Sequence, residues 1–465
     1  MLERASPESQ GIDPRAIESW LNAVAGDELH SLVLMRHGKV VAEGAWSPFA
    51  LPVPHQMWSL SKSFTSTAMG MAVGEGRLKL TDRVVSFFPD HLPPEVSENL
   101  AAMTVRDLLI MGTGHETEPP HGGPVANGAD WRSSFLAHPV PYVPGTHFLY
   151  NSSATYMVSA ILHQLTGQRL LDYLTPRLFA PLGIEGATWL QDPNGIDAGG
   201  WGLFVRTEDI ARFAQFCLQR GEWAGQTLVS VDWIDEATAS QIDNSPERDG
   251  DWAQGYGYQF WRCRPSGVYR GDGAFGQYAV VMPEQDAVLA ITGAVLDMGA
   301  ILEATWTHLL PAMGPSPLPA SSAGPALASR LDHLALTVPT HTKPAPMDGR
   351  REFRFGENED QLVAMEFTWA ADRDHVVWRR GNDVWEFAIG HGEWASSTCF
   401  DSQVVAVGGW TAPDRYEFRL RWLTWGSGED VTVQVNDDAS IAVRRVRRGS
   451  FGPSEAEALT ACPVS

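Results

Sequence analysis

A chain of 465 residues is longer than one ordinary hydrophobic core organises, so two domains are the starting expectation. Hydrophobic residues at 44% and charged residues at 19% match a globular protein that folds in water. With 56 acidic against 34 basic residues the net charge is −22, which excludes the basic surface that a nucleic acid or an anionic membrane needs.

In chain order, the N-terminal stretch MLERASPESQGIDPRAIESWL has neither an apolar signal region nor a small-residue cleavage site. It reads as a mature cytoplasmic N-terminus. Ile17, Trp20, Leu21 and Val24 recur at helical spacing after Pro14, which predicts a first helix. LVLMR, the turn His37-Gly38 and KVVAEGAW predict a β-hairpin. A glycine- and proline-rich, mainly helical region follows. QYAVVM, a turn over 283–286 and AVLAITGAV then predict a second hairpin, with a helix around ILEATWTHLL. Strands from both ends of this region with helices between them predict an α+β fold: one antiparallel sheet flanked by helices, with a helical subdomain beside it.

Residues 316–330, within GPSPLPASSAGPALASR, have the proline, serine and alanine content of a linker. The first domain is therefore set at 1–315 and a second at 331–465. In the second, Tyr416, Phe418, Leu420 and Trp422 alternate with Glu417, Arg419 and Arg421, and Val431, Val433 and Val435 alternate likewise. This period of two predicts an all-β sheet or barrel. Its tryptophans, among them Trp369, Trp378, Trp385, Trp410, Trp422 and Trp425, are expected in its core, with a ligand platform as the alternative. Arg444, Arg445, Arg447 and Arg448 are expected to pair with carboxylates on a sheet face. Cys217, Cys263, Cys399 and Cys462 lie far apart without zinc spacing and are expected as unpaired thiols. No metal or phosphate motif stands out, and no cofactor is implied.

Ser59 and Lys62 form an S-x-x-K. On a helix, i and i+3 share a face, so the lysine amine can reach the serine hydroxyl. A serine at a helix start also has a free N–H to offer an oxyanion. The lysine can act as a base only if burial or a neighbouring cation lowers its pKa by several units; arginine could not serve.

The surroundings are more specific than the spacing. WSLSKSFTSTAMGMAVGEGRLKLTDRVVSFFPD, MTVRDLLIMGTGH, PGTHFLYNSSATYMVSAILHQLTGQ, GGWGLFVRTEDIARFAQFCLQRGEW and GDGAFGQYAVVMPEQDAVLAITG follow one another in order. Together, over roughly residues 7–310, they resemble the β-lactamase-like serine hydrolases: class C β-lactamases, DD-peptidases and family VIII esterases. The resemblance implies the β-lactamase/transpeptidase fold and acyl transfer from an ester or amide to water through Ser59. It makes Tyr150 the proton-transferring phenol and the amides of Ser59 and Ala274 the oxyanion hole. Ser152 then occupies the third place of Y-x-N, and Trp201, in the G-G segment that approaches the site, is a candidate to line it, with ordinary packing as the alternative. Gly271, before Asp272 and Gly273, stands where the family carries the lysine or histidine that binds a substrate carboxylate. A neutral or cationic small ester or amide is therefore expected over an anionic β-lactam. Arg270 is expected to point to the opposite face of its strand. Asp272 is a candidate selector for an amino group, or else a turn or surface carboxylate. His115 and His121 are expected in a solvated loop, with the cleft rim as the alternative. Rival readings are a true β-lactamase, a D-amino-acid amidase or peptidase, and a catalytically silent acyl- or peptide-binding relative.

Overall fold

The computed structural model describes residues 2–120, 130–246, 248–341, 348–454 and 458–464. The first hairpin forms from β1 (Leu29–Arg36) and β2 (Lys39–Ala45). After the helical region come β3 (Trp261–Arg262), β4 (Tyr269–Gly273), β5 (Gln277–Met282) and β6 (Ala287–Gly293). They complete a six-stranded antiparallel sheet in the order β2-β1-β6-β5-β4-β3, so the first and second hairpins meet at β1 and β6. Both faces are covered, which explains why β1, β5 and β6 are buried along their whole length.

On one face lies α1 (Pro14–Ala23), capped by Asp13 and started by Pro14, which buries Ile17, Trp20 and Leu21. On the other are α2 (Ser61–Gly74), α3 (Ser152–Thr166) and α4 (Thr207–Leu218), which surround the larger core. α2 is buried on nearly every side, so its sequence shows little amphipathic contrast.

Two expectations change here. The proline- and serine-rich segment is not wholly a linker: Ala323–Asp332 is a helix that puts Leu327 and Leu331 into the core against α1 and β2. Those two leucines, four apart, provide the apolar face that the segment's composition hid. His115 is not in a solvated loop either. It is fully buried, bonded to Thr113 and packed on Phe135, because the neighbouring Gly114 is pinned against Tyr142, whose amide donates to the Gly114 carbonyl. His121 lies outside the described residues. The four cysteines are free thiols.

The C-terminal region is a barrel. Among the described residues, nine strands from Asp383–Gly390 round to Ser402–Ala412 close through a parallel bridge between Gly390 and Val407, and Ala395–Cys399 pairs outside them. Trp369, Trp378 and Trp410 fill its interior. Arg445 and Arg447 pair with Asp360, Arg445 also with Glu429, and Arg448 with Asp430. The barrel docks on the first domain through Arg421, whose guanidinium grips Glu28 at 2.6 and 2.9 Å. The Gln56 amide donates to the Thr424 carbonyl at 2.8 Å, two residues from Trp58. Among the described residues no helix is long and apolar enough to cross a membrane.

Candidate active site

Ser59 does not begin α2; it sits in a tight turn, Trp58–Leu60, immediately before it. The turn is bent through Trp58, which holds φ +47°, a left-handed conformation that a bulky side chain adopts only under constraint. The constraint is a set of short strands. His55–Gln56 pairs with Leu203–Val205, the Met57 amide donates to Leu203 O, and Ser61 Oγ donates to Trp58 O at 2.6 Å. Ser59 is thereby held partly exposed at the mouth of the cleft between the sheet and α2.

One turn on, Lys62 points back toward it. Its Nζ lies 3.0 Å from Ser59 Oγ, 3.0 Å from Ser152 Oγ and 2.7 Å from Gly200 O. The lysine is 1% exposed. Among the described residues, its hydrogen-bond partners are two hydroxyls and a carbonyl, none of them charged. Burial pulls its pKa from 10.5 down to about 7, against the opposing pull of the Glu118 and Asp272 carboxylates. A free amine has two N–H donors and one lone pair. Gly200 O can only accept, so it takes one N–H, and the lone pair is left for a hydroxyl proton. Gly200 has to be glycine for this contact: a Cβ there would fall 2.7 Å from Ser152 O.

Tyr150 enters from the residue before the Asn151 cap of α3, its ring centroid 4.9 Å from Lys62 Nζ. Burial raises the pKa of its phenol, and its hydrogen bond with Ser59 only partly offsets this, so the hydroxyl stays protonated at neutral pH. The ring stacks on Trp261 at 5.3 Å, which fixes its plane. The structure therefore brings Ser59, Lys62, Tyr150 and Ser152 together. The Ser152 amide itself donates to Glu118 at 2.5 Å.

The end of β4 closes the opposite wall. A Cβ on Gly273 would lie 2.2 Å from Met57 O and 3.1 Å from Leu60 N, so the strand presses on the Ser59 turn and sets Ala274 beside it. Sequence reading missed the residue that holds Ala274. Gln277 is fully buried; its Nε2 donates to Ala274 O at 2.9 Å and to Gly293 O at 2.8 Å, and its Oε1 accepts from Gly293 N. A glutamine opening an otherwise apolar strand is the signal that could have found it.

Of the remaining candidates, only Asp272 sits differently from expectation. Gly271 leaves no room for the family's basic residue, because a Cβ would lie 2.3 Å from Leu60 Cδ1 and 2.9 Å from Ser63 Oγ. Asp272 is neither a selector in the cleft nor a surface carboxylate. It alternates to the far face of β4, where its Oδ2 accepts from Arg270 Nε at 2.9 Å and Trp252 Nε1 at 3.0 Å. Arg270 lies on that face too, as the alternation requires, and is 0% exposed. Trp201 stacks its ring on Trp131, and its carbonyl accepts from Trp189. Among the described residues no group of three or more metal-binding side chains is placed to share an ion.

The Beta-lactamase family profile matches residues 28–299, more than half of the chain. The chain is 25% identical over 278 residues to a 6-aminohexanoate-dimer hydrolase of Paenarthrobacter ureafaciens, covering 56% of this chain and 71% of that protein. It is 23% identical over 290 residues to a beta-lactamase of Escherichia coli strain K12, covering 56% of this chain and 69% of that one. In fold it is similar to the octameric penicillin-binding protein homologue from Pyrococcus abyssi, with a TM-score of 0.52 at 15% identity, covering 96% of this chain and 99% of that one.

Proposed function

Because the chain belongs to the Beta-lactamase family, we propose that it is a serine hydrolase cleaving a small ester or amide through an acyl-enzyme on Ser59. The observation that carries this reading is the buried Lys62 amine, held 3.0 Å from Ser59 Oγ with a pKa near 7. Such an amine is free base in a large fraction of molecules at neutral pH, which an ordinary lysine is not.

Lys62 takes the Ser59 proton as Oγ bonds to the substrate carbonyl carbon. The amides of Ser59 and Ala274 receive the charge that develops on the carbonyl oxygen, with Gln277 holding the second amide in place. Collapse of the tetrahedral species breaks the bond to the leaving oxygen or nitrogen. That atom gains its proton from Lys62 by way of the Tyr150 hydroxyl, whose raised pKa suits a proton donor rather than a standing phenolate. Water then enters along the same route, giving up a proton to the Lys62–Tyr150 pair and releasing the acid and free Ser59.

Substrate charge follows from the walls. Gly271 leaves no room for a cation, and Asp272 is taken up by Arg270 on the far face of β4, so a neutral or cationic substrate is favoured over an anionic β-lactam. The test is turnover of p-nitrophenyl acetate, D-amino-acid amides and nitrocefin, with mass spectrometry of the trapped acyl-enzyme. The expected result is ester or amide turnover exceeding nitrocefin turnover and an adduct on Ser59 that Ser59→Ala abolishes. Nitrocefin turnover rivalling that of the esters would favour a true β-lactamase. No turnover, or turnover indifferent to Ser59→Ala, would favour a silent ligand-binding relative.

A further inference from the structure

Among the described residues, the two most exposed large apolar side chains are Phe451 at 70% and Phe400 at 62%. They are not scattered: both line one cavity of 470 Å³ in the barrel, together with Trp385, Trp422 and Trp425. Trp385 lies 5.4 Å from Trp422 and 6.1 Å from Phe400, so these three rings adjoin. Proteins rarely leave this much aromatic surface in a concavity unless something covers it. The polar lining includes Arg380 and Arg447, both paired with Asp360, so the rings rather than a free charge dominate recognition.

What covers it is indicated by where the rim lies. The Phe451 ring is 5.2 Å from Trp58 and 5.0 Å from Phe275. Trp58 immediately precedes Ser59, and Phe275 immediately follows Ala274. On the other side Trp425 meets Phe204 at 5.2 Å, in the strand that pairs with His55–Gln56. The cavity is lined by the barrel alone, but two of its lining rings, Phe451 and Trp425, also pack on first-domain rings next to the nucleophile turn.

We propose that the barrel cavity is the distal subsite of this hydrolase, taking the aromatic end of a neutral arylalkyl ester or amide whose carbonyl lies at Ser59. The subsite rests on the reading of Ser59 as the acylated residue. It makes the barrel a specificity element of the active site and gives the second domain a role in the reaction.

The experiment compares kcat/KM for p-nitrophenyl acetate with two ester series that carry a phenylalkyl group on the acyl or the alcohol side. The full-length chain is used with Phe451→Ala and Phe400→Ala. Both side chains are mostly solvent-exposed, so truncation opens no core cavity, and thermal melting checks that each variant is folded. The expected result is a preference for the phenylalkyl ester in one series. Phe451→Ala lowers that preference about tenfold, the scale of losing one aromatic contact surface, and Phe400→Ala lowers it less. A preference unchanged in both folded variants, or no preference in either series, overturns the subsite while Ser59-dependent acetate turnover leaves the hydrolase intact. A second arm titrates Ser59→Ala with 4-phenylbutyramide and follows tryptophan fluorescence. Saturable quenching weakened by Phe451→Ala supports the cavity, and its absence counts against it. Quenching without Ser59-dependent turnover of any ester strikes the reading of Ser59 rather than that of the cavity.

Discussion

Two buried cations, Lys62 in the cleft and Arg421 at the domain junction, are treated in opposite ways. Arg421 is 0% exposed, and burial works against its charge, but Glu28 and Asp430 outweigh that, with contacts of 2.6 to 2.9 Å. Its partner Glu28 is likewise desolvated, yet Arg421 and His30 hold its pKa down to about 2. Lys62 is as deeply buried but bonds only neutral oxygens, and burial wins. A buried cation with carboxylates is a clamp; one without them is ready to give up its proton. The same chain uses arginine for the first task and lysine for the second, as the chemistry of each group requires.

The contrast breaks most visibly at Lys62. Lys62→Ala and Ser59→Ala should each lower kcat/KM by about 10⁴-fold or more, and the double variant should be little worse than either, because such groups act as a unit. Lys62→Arg keeps a cation but should recover none of the activity, which steady-state kinetics on one ester would show. The stability effect runs the other way. The folded lysine titrates near 7 and the unfolded one near 10.5, so between those values the unfolded chain binds more protons and stability rises with pH. Lys62→Met should therefore raise the melting temperature at pH 6 and have a smaller effect at pH 10.

Arg421 should behave as the clamp. Arg421→Met leaves the desolvated Glu28 without its guanidinium, while Asp430 keeps Arg448, and should cost about 3 kcal/mol in denaturant unfolding at pH 7. Because Glu28 has its folded pKa lowered from 4.5 to about 2, its share of the wild-type stability is present above 4.5 and lost as pH falls toward 2. The difference between wild type and variant should shrink across that interval. The smallest effect is expected at Gln277. Gln277→Leu frees the Ala274 peptide to tilt and should lower kcat about tenfold with KM little changed, a fraction of what losing an oxyanion donor outright costs. An equal loss after Lys62→Ala has removed the chemistry would instead mark a structural role.

The three-residue core of the site was legible because its chemistry demands particular side chains at particular spacings: a lysine three after a serine, and a tyrosine in a recognisable run before a helix. The two hairpins were legible from alternation and turn residues, and the barrel from its period of two. What escaped were features set by tertiary contact. Whether Asp272 faced the cleft depended on which face of β4 met α2. The Leu327 and Leu331 face was hidden by its proline-rich surroundings. Gln277 gains its meaning only from a carbonyl three residues back and another sixteen ahead. The meeting of Phe451 with Trp58 joins residues nearly 400 positions apart, which no local pattern encodes.

The most direct measurement is the pH dependence of the rate at which a fluorophosphonate labels Ser59, with the site located by peptide mass spectrometry. A buried, uncharged Lys62 predicts labelling at Ser59 that rises with pH, bends near 7 and levels off, and that Lys62→Ala abolishes. A rate that keeps climbing to pH 10 without a bend, or a label on any other residue, would contradict it.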